Sequence, residues 1–249
     1  TSGNIAVGDE DMMRYFLMMD KIAPMFGFGT DDYKELSKKV RTFVDGKKAG
    51  DVDIPEIREI KTMIRQAEAT IACNYIGVKP QNIHFLRLPF YETGTIKKGD
   101  LSEADIDRVK ALLEEVKPHQ IFVAGDLADP HGTHRVCTDA VLAALYELRN
   151  EDWMRDCRIW MYRGAWAEWE IDHIEMAVPI SPEELRFKRN SILKHQSQME
   201  NAPFLGDDDR LFWQRAEERN RATARLYENR GLASYEAMEA FVEYHPIKN

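Results

Sequence analysis

The most constraining feature of this 249-residue chain is a single strand-loop-helix unit over residues 121–148. Ile121-Phe122-Val123-Ala124 is a short apolar run after the breaker Lys117-Pro118, and the polar stretch GDLADPHGTHRV follows directly from Gly125. Val136, Ala140, Val141, Ala144, Leu145 and Leu148 then recur at helical spacing. In an open α/β sheet, ligands bind where strands end at their carboxyl edge, so this loop is where chemistry is expected.

Signals on either side extend the pattern. Helices are expected at about 9–22, stopping near Pro24, and after the Gly27–Gly29 loop, with Tyr33, Leu36, Val40, Phe43 and Val44 on one face. Pro55 opens a long helix with Ile57, Ile60, Ile64, Ala67 and Ile71 inward and Gly77 as its cap. Asn82–Leu88 reads as a strand. Ser102 with Asp105 opens a helix striped by Ile106, Val109, Leu112, Leu113 and Val116. Strands are expected at 158–162 and 173–180, and the Ser181-Pro182-Glu183-Glu184 cap starts a helix over about 182–199. Another helix ends at Gly231, and a short terminal one covers about 234–244. Alternation of helix and strand through the first two thirds implies one α/β domain: a three-layer α/β/α, Rossmann-like sandwich with a mostly parallel sheet.

A 44% hydrophobic content supports a real core, and a net charge of −9 without a Lys/Arg cluster argues against a nucleic-acid partner and for a small-molecule ligand. Cys73, Cys137 and Cys157 are widely spaced, as expected of reduced thiols in a cytoplasm. No apolar run reaches membrane-spanning length, so no membrane partner is expected.

Within the loop, a histidine in the first turn of a helix is held neutral by the positive end of the helix dipole, the state that binds a metal, and this suits His134 as a zinc ligand. His131 could carry a proton at the same place, and Asp129 could orient a ring nitrogen. Both histidines could equally be loop residues bonded to backbone. Arg65 could hold a sugar phosphate with its fork of donors or simply pair with Glu68 at i+3. Arg163, Trp166 and Trp169 follow a strand end, where an arginine can meet a phosphate and an indole can stack on a sugar ring or just pack. His195 and Gln198 lie one turn apart on one helix face.

DPHGTHR, between strand and helix, resembles the second metal motif of the LmbE/PIG-L-like N-acetylglucosaminyl deacetylases, which reads more like His-Pro-Asp-His-Arg. Thr1-Ser2-Gly3 looks like the end of that family's second strand, Ile64-Arg65-Gln66-Ala67-Glu68 with Gly77-Val78 like its Arg-x-x-Glu helix, and Lys188 with His195-Gln196-Ser197-Gln198 like its late Lys and His-x-Ser-Gln segment. With GAWAEWE at 164–170, the chain looks most like the carboxy-terminal part of long bacterial proteins called glucosamine-6-phosphate deaminase, in which a deaminase/isomerase-like domain precedes a deacetylase-like one.

That resemblance implies zinc-dependent hydrolysis of the N-acetyl group of an amino sugar or its phosphate. His134 would hold the metal, His131 would act on the tetrahedral intermediate with Asp129 beside it, and Arg65, Arg163, Trp166, His195 and Gln198 would bind substrate. Two departures stand out. Gly132-Thr133 replaces Pro-Asp between the histidines, and nothing matches the family's first motif, His-Pro-Asp-Asp; Gly206-Asp207-Asp208-Asp209 has no strand, His or Pro before it. The expectation is therefore that residues 1–249 form such a domain without its first strand, preceded by a deaminase/isomerase-like partner domain, and holding no stable zinc alone; a homo-oligomer is left open. The alternative is a non-catalytic sugar-phosphate-binding or docking module of a glucosamine-6-phosphate deaminase/isomerase.

Overall fold

The computed structural model describes residues 1–95, 97–125, 132–164, 168–199 and 210–246. Three helices come first: α1 (Asp9–Met25), α2 (Asp31–Gly46) and α3 (Pro55–Tyr75). Thr30 caps α2 by accepting the Tyr33 N–H, and Pro55 opens α3 at the position where a missing N–H costs nothing. Their inward faces share a core of Val7, Met12, Phe16, Val40, Ile57 and Ile64. Ile71, expected on that inward face, is 54% exposed. At one end of this core Lys47 and the buried Lys61 each bridge Asp9 and Asp53 at 2.6–2.7 Å, so that every charge has an opposite neighbour.

Residues 82–88 are not a strand. Arg87 has a φ of 48°, which breaks an extended run, and the Arg108 guanidinium takes the Leu86 and Arg87 carbonyls that a ladder would use. A 3-10 turn, Pro89–Tyr91, delivers the chain to α4 (Glu103–Val116). Asp105 holds this junction, accepting from the Ser102 N–H and hydroxyl with one oxygen and from the Phe90 N–H with the other.

Among the described residues the sheet has four strands: β1 (Gln120–Ala124), β2 (Arg158–Tyr162), β3 (Met176–Ile180) and β4 (Ala237–Glu243), in the order β1-β2-β4-β3. Of the described strands only β1 and β2 pair in parallel; β4 runs antiparallel to both β2 and β3. The expected mostly parallel sheet is therefore corrected to a mixed one, and the cause is β4, read from the sequence as a terminal helix over 234–244. Its alanines, methionine and glutamates are good helix formers, but local propensity is overridden here by tertiary pairing: the strand pairs along both edges and buries Ala237, Met238 and Ala240.

Helices cover both faces of the sheet. Leu145 and Leu148 of α5 (Thr133–Leu148) pack on Val123 and Ile159, each fully buried side chain of this size contributing about 1.5–3 kcal/mol. Glu239, which strand alternation places on the opposite face, meets Lys188 of α6 (Pro182–Ile192) and Arg219 of α7 (Phe212–Glu228). α6 starts on the expected capping box, Glu184 N–H to Ser181 Oγ and Ser181 N–H to Glu184 Oε2, but ends at Ile192; the rest of the helix expected to 199 is a 3-10 turn over Gln196–Gln198.

Candidate functional site

The carboxyl ends of β1 and β2 lie side by side, Ala124 opposite Tyr162, and the Gly125 N–H extends the ladder to the Tyr162 carbonyl at 2.7 Å. α5 begins over this edge. Gly132 turns the chain into the helix with a φ of 68°, and the Thr138 hydroxyl donates to the Ala124 carbonyl. His134 stands one turn before Thr138 on the same helix face, in the first turn and exposed, so it sits over the end of β1. Asp129, His131 and Trp166 lie outside the described residues, as does the 206–209 acidic stretch.

Arg65, His195 and Gln198 come together around one acidic side chain, Glu68. It is 4% exposed and accepts from Arg65 Nη1 at 2.6 Å, from the Ser197 N–H at 2.6 Å and from Ser197 Oγ at 2.8 Å. The pairing of Arg65 with Glu68 read from their i+3 spacing is thus present, and Glu68 also grips the 195–198 turn from 129 residues away. Gln198 Nε2 donates to the Ala6 carbonyl and to Ser197 Oγ, both at 3.0 Å, fastening the turn to the amino-terminal segment. Gly3, at φ 69°, lies so close to Arg65 that a Cβ would stand 3.1 Å from Nε.

Three polar atoms of this region, Ser2 Oγ, Arg65 Nε and His195 Nδ1, are buried without a hydrogen-bond partner among the described residues. Burial, and then the positive charge of Arg65, push the His195 pKa below the ordinary histidine value, against the opposing pull of Glu68. The ring is neutral at pH 7 and can donate or accept. Tyr91, which the sequence did not single out, joins this cluster to α5: it feels both Arg65 and Cys137, takes a hydrogen bond from the Ile5 backbone, and burial raises its pKa to about 12. Its only sequence signal is its place two residues after Pro89 in an otherwise apolar stretch.

Arg163 belongs to a different group, at the end of β2. Its guanidinium donates to the Gly125 carbonyl at 3.4 Å and lies 4.6 Å from the Trp169 ring centroid, a cation–π contact, while Trp169 Nε1 donates to the Met161 carbonyl at 3.2 Å. Next to it Arg219 donates to the Arg163 and Gly164 carbonyls and to Glu239 Oε1, with Glu168 Oε2 3.8 Å away. Burial raises the Glu168 pKa, offset in part by Arg219. Lys188, matched from sequence to a late family lysine, pairs with Glu239 and donates to Asn220 Oδ1 at 2.8 Å. Open clefts of about 710 and 720 Å³ lie elsewhere, at the amino end of β2 and between α1 and α2.

Catalytic zinc takes three protein ligands and a water. Among the described residues no three His, Cys, Asp or Glu side chains are grouped to hold a metal, so these residues do not by themselves fit the ion. Cys73, Cys137 and Cys157 form no disulfide with one another, and among the described residues no helix is long and apolar enough to cross a membrane.

Residues 32–145, which hold α3, the 89–91 turn and most of α5, match the family model described as PIG-L, GlcNAc-PI de-N-acetylase. A Bacteroides thetaiotaomicron protein named as glucosamine-6-phosphate deaminase-like is 62% identical over 99% of this chain, and the chain spans 38% of that relative's length. Among solved structures, an N,N′-diacetylchitobiose deacetylase from Pyrococcus horikoshii overlaps 80% of this chain and 69% of its own, at 18% identity and a TM-score of 0.48. The conserved protein TT1542 from Thermus thermophilus overlaps 79% of this chain and 77% of its own, at 20% identity and a TM-score of 0.46.

Proposed function

The chain carries a PIG-L/LmbE-family domain, and from that premise we propose that it serves the hydrolytic removal of an N-acetyl group from an amino sugar or amino-sugar phosphate. The observation that carries this reading is the span of the family match: it includes both the Arg65–Glu68 pair and His134 at the end of β1.

In this reading the described side chains bind and orient. Arg65 is already neutralised by Glu68, which suits it to sugar hydroxyls more than to a dianion, and neutral His195 offers Nδ1 to the same group. Arg163, presented beside an indole face at the strand ends, is the better seat for a phosphate, with Trp166 and Trp169 as stacking surfaces. Asp129 and His131 would take the proton-handling roles, and His134 would be one ligand of a zinc ion completed by groups beyond the described residues. Gln198 acts through Ser197, as a positioning residue.

The test is acetate release from N-acetylglucosamine and its 6-phosphate by the intact natural polypeptide that contains residues 1–249, with zinc content measured beside it. His134→Ala is expected to lose metal and activity together, and His131→Ala to keep its metal while losing roughly 10² to 10⁴ in turnover. A protein that binds the sugar phosphate and releases no acetate overturns the reading in favour of a non-catalytic binding module, which Gly132-Thr133 in place of Pro-Asp would suit.

A further inference from the structure

Helix α1 has two apolar faces and its own core uses only one. Met12 and Phe16 are buried against α2 and α3, and Ala23 is buried as well. Roughly 100° around the helix, at 100° per residue, runs a second stripe: Tyr15, Met18, Ile22 and Met25 at spacings of 3, 4 and 3, flanked by Met19 and Phe26. This spacing is that of the seam between two packed helices. No charged residue interrupts it.

The stripe faces solvent. Tyr15 is 40% exposed, Met18 52%, Met19 44%, Met25 78% and Phe26 66%, and Phe28, 63% exposed, stacks on Phe26 with ring centroids 6.5 Å apart. At roughly 150–250 Å² per large side chain these fractions amount to about 700 Å² of apolar surface. That exceeds the roughly 300–600 Å² of the largest patch on an ordinary monomer, and it is close to the about 800 Å² per partner of a stable protein interface.

We propose that this stripe is the interface of a two-fold homodimer, in which α1 of one copy lies antiparallel on α1 of the other. The area is what a stable dimer needs, and the uninterrupted apolar seam is complementary to itself. The antiparallel arrangement is set by charge. The first turn of α1 carries Asp9, Glu10 and Asp11, which a parallel pairing would bring face to face and an antiparallel one separates, with the helix dipoles opposed as well. The proposal does not depend on the deacetylase reading, since α1 lies outside the residues of the candidate site.

Light scattering or sedimentation of the 249-residue chain decides it. The expected mass is twice 28.9 kDa at concentrations of about 10 μM and above. Met18→Glu with Met25→Glu places like charges across the two-fold and is expected to raise the dimer Kd by at least about 100-fold, leaving a monomer with unchanged far-UV circular dichroism. Should that pair fail to fold, Met25→Lys, at the most exposed position of the stripe, is expected to dissociate the dimer alone. Val116→Glu, 54% exposed on α4, is the control and stays dimeric. A wild-type chain that is monomeric at about 100 μM overturns the proposal; such a stripe would then serve a segment of a longer polypeptide instead. A dimer that survives Met25→Lys and the double substitution overturns it equally.

Discussion

Glu68 shows how much a single carboxylate can organise. One buried side chain neutralises Arg65, holds the backbone and hydroxyl of Ser197, and thereby sets His195 beside the guanidinium. The His195 titration reports this arrangement. Burial and Arg65 lower its pKa and Glu68 raises it, so the midpoint followed by NMR of the ring is expected below the ordinary value near 6.5. Arg65→Met should move it up and Glu68→Gln should move it down. A wild-type midpoint at or above 6.5 would mean that the ring is not packed beside the guanidinium. The same shift fixes a sign for stability: the unfolded chain binds this proton more readily, so the contribution of His195 is full above about pH 6.5 and is lost as the pH falls below it. From sequence, Arg65, His195 and Gln198 could be named through a family likeness, and Glu68 only as a local i+3 partner. Its grip on Ser197 was not legible, because no periodicity encodes a hydrogen bond between residues 129 positions apart.

At the scale of elements, the sheet face opposite α5 is fastened by charge rather than by apolar packing alone. Arg219 of α7 is 10% exposed and stands between Glu239 of β4 and Glu168, which are 19% and 14% exposed, while Lys188 of α6 closes the network on Glu239. Arg219→Met removes the cation and leaves two half-desolvated carboxylates, a loss expected to cost roughly 3–5 kcal/mol at neutral pH. Its pH dependence follows from Glu168. Burial already raises that pKa, and losing Arg219 raises it further, so the folded variant gains a proton more readily than the unfolded chain as the pH falls. The stability gap between wild type and variant, from urea unfolding, is expected to be smaller at about pH 5 than at about pH 8. A gap independent of pH would show that Glu168 is not held by Arg219. Helices were the legible elements: the apolar spacing that places α2 to α5 in the sequence is the one the structure uses, and Pro55 at the start of α3 and the Ser102–Asp105 box at the start of α4 stand where the sequence puts them, whereas α5 starts from Gly132 with no side-chain cap hydrogen bond. The 82–88 segment misled because β-branched and aromatic residues advertise a strand that the φ of Arg87 and the reach of Arg108 prevent.

For the molecule as a whole, β4 determines what kind of sheet this is. It joins the parallel pair β1-β2 to β3, although it is the last of the described elements in sequence. A sequence reader sees Ala, Met and Glu between two turn signals and assigns a helix, since propensity is local and the strands that recruit this segment lie up to about 80 residues earlier. The difference has a measurable consequence. An appended terminal helix could be removed with little effect beyond its own contacts, whereas a strand hydrogen-bonded along both edges cannot. Ending the chain at Leu232 would strip β2 of its antiparallel partner through Trp160, Met161 and Tyr162, leave β3 with no neighbour among the described strands, and uncover the partners of Glu239 on α6 and α7. The expected outcome is loss of the cooperative urea transition of the sheet and of its near-UV circular dichroism, while helical far-UV signal from α1 to α3, which share a separate core, persists in part. A truncated chain that unfolds at the same urea midpoint as the parent would show that residues 237–243 are dispensable, and with them the mixed sheet that sets the ends of β1 and β2 side by side beneath His134 and Arg163.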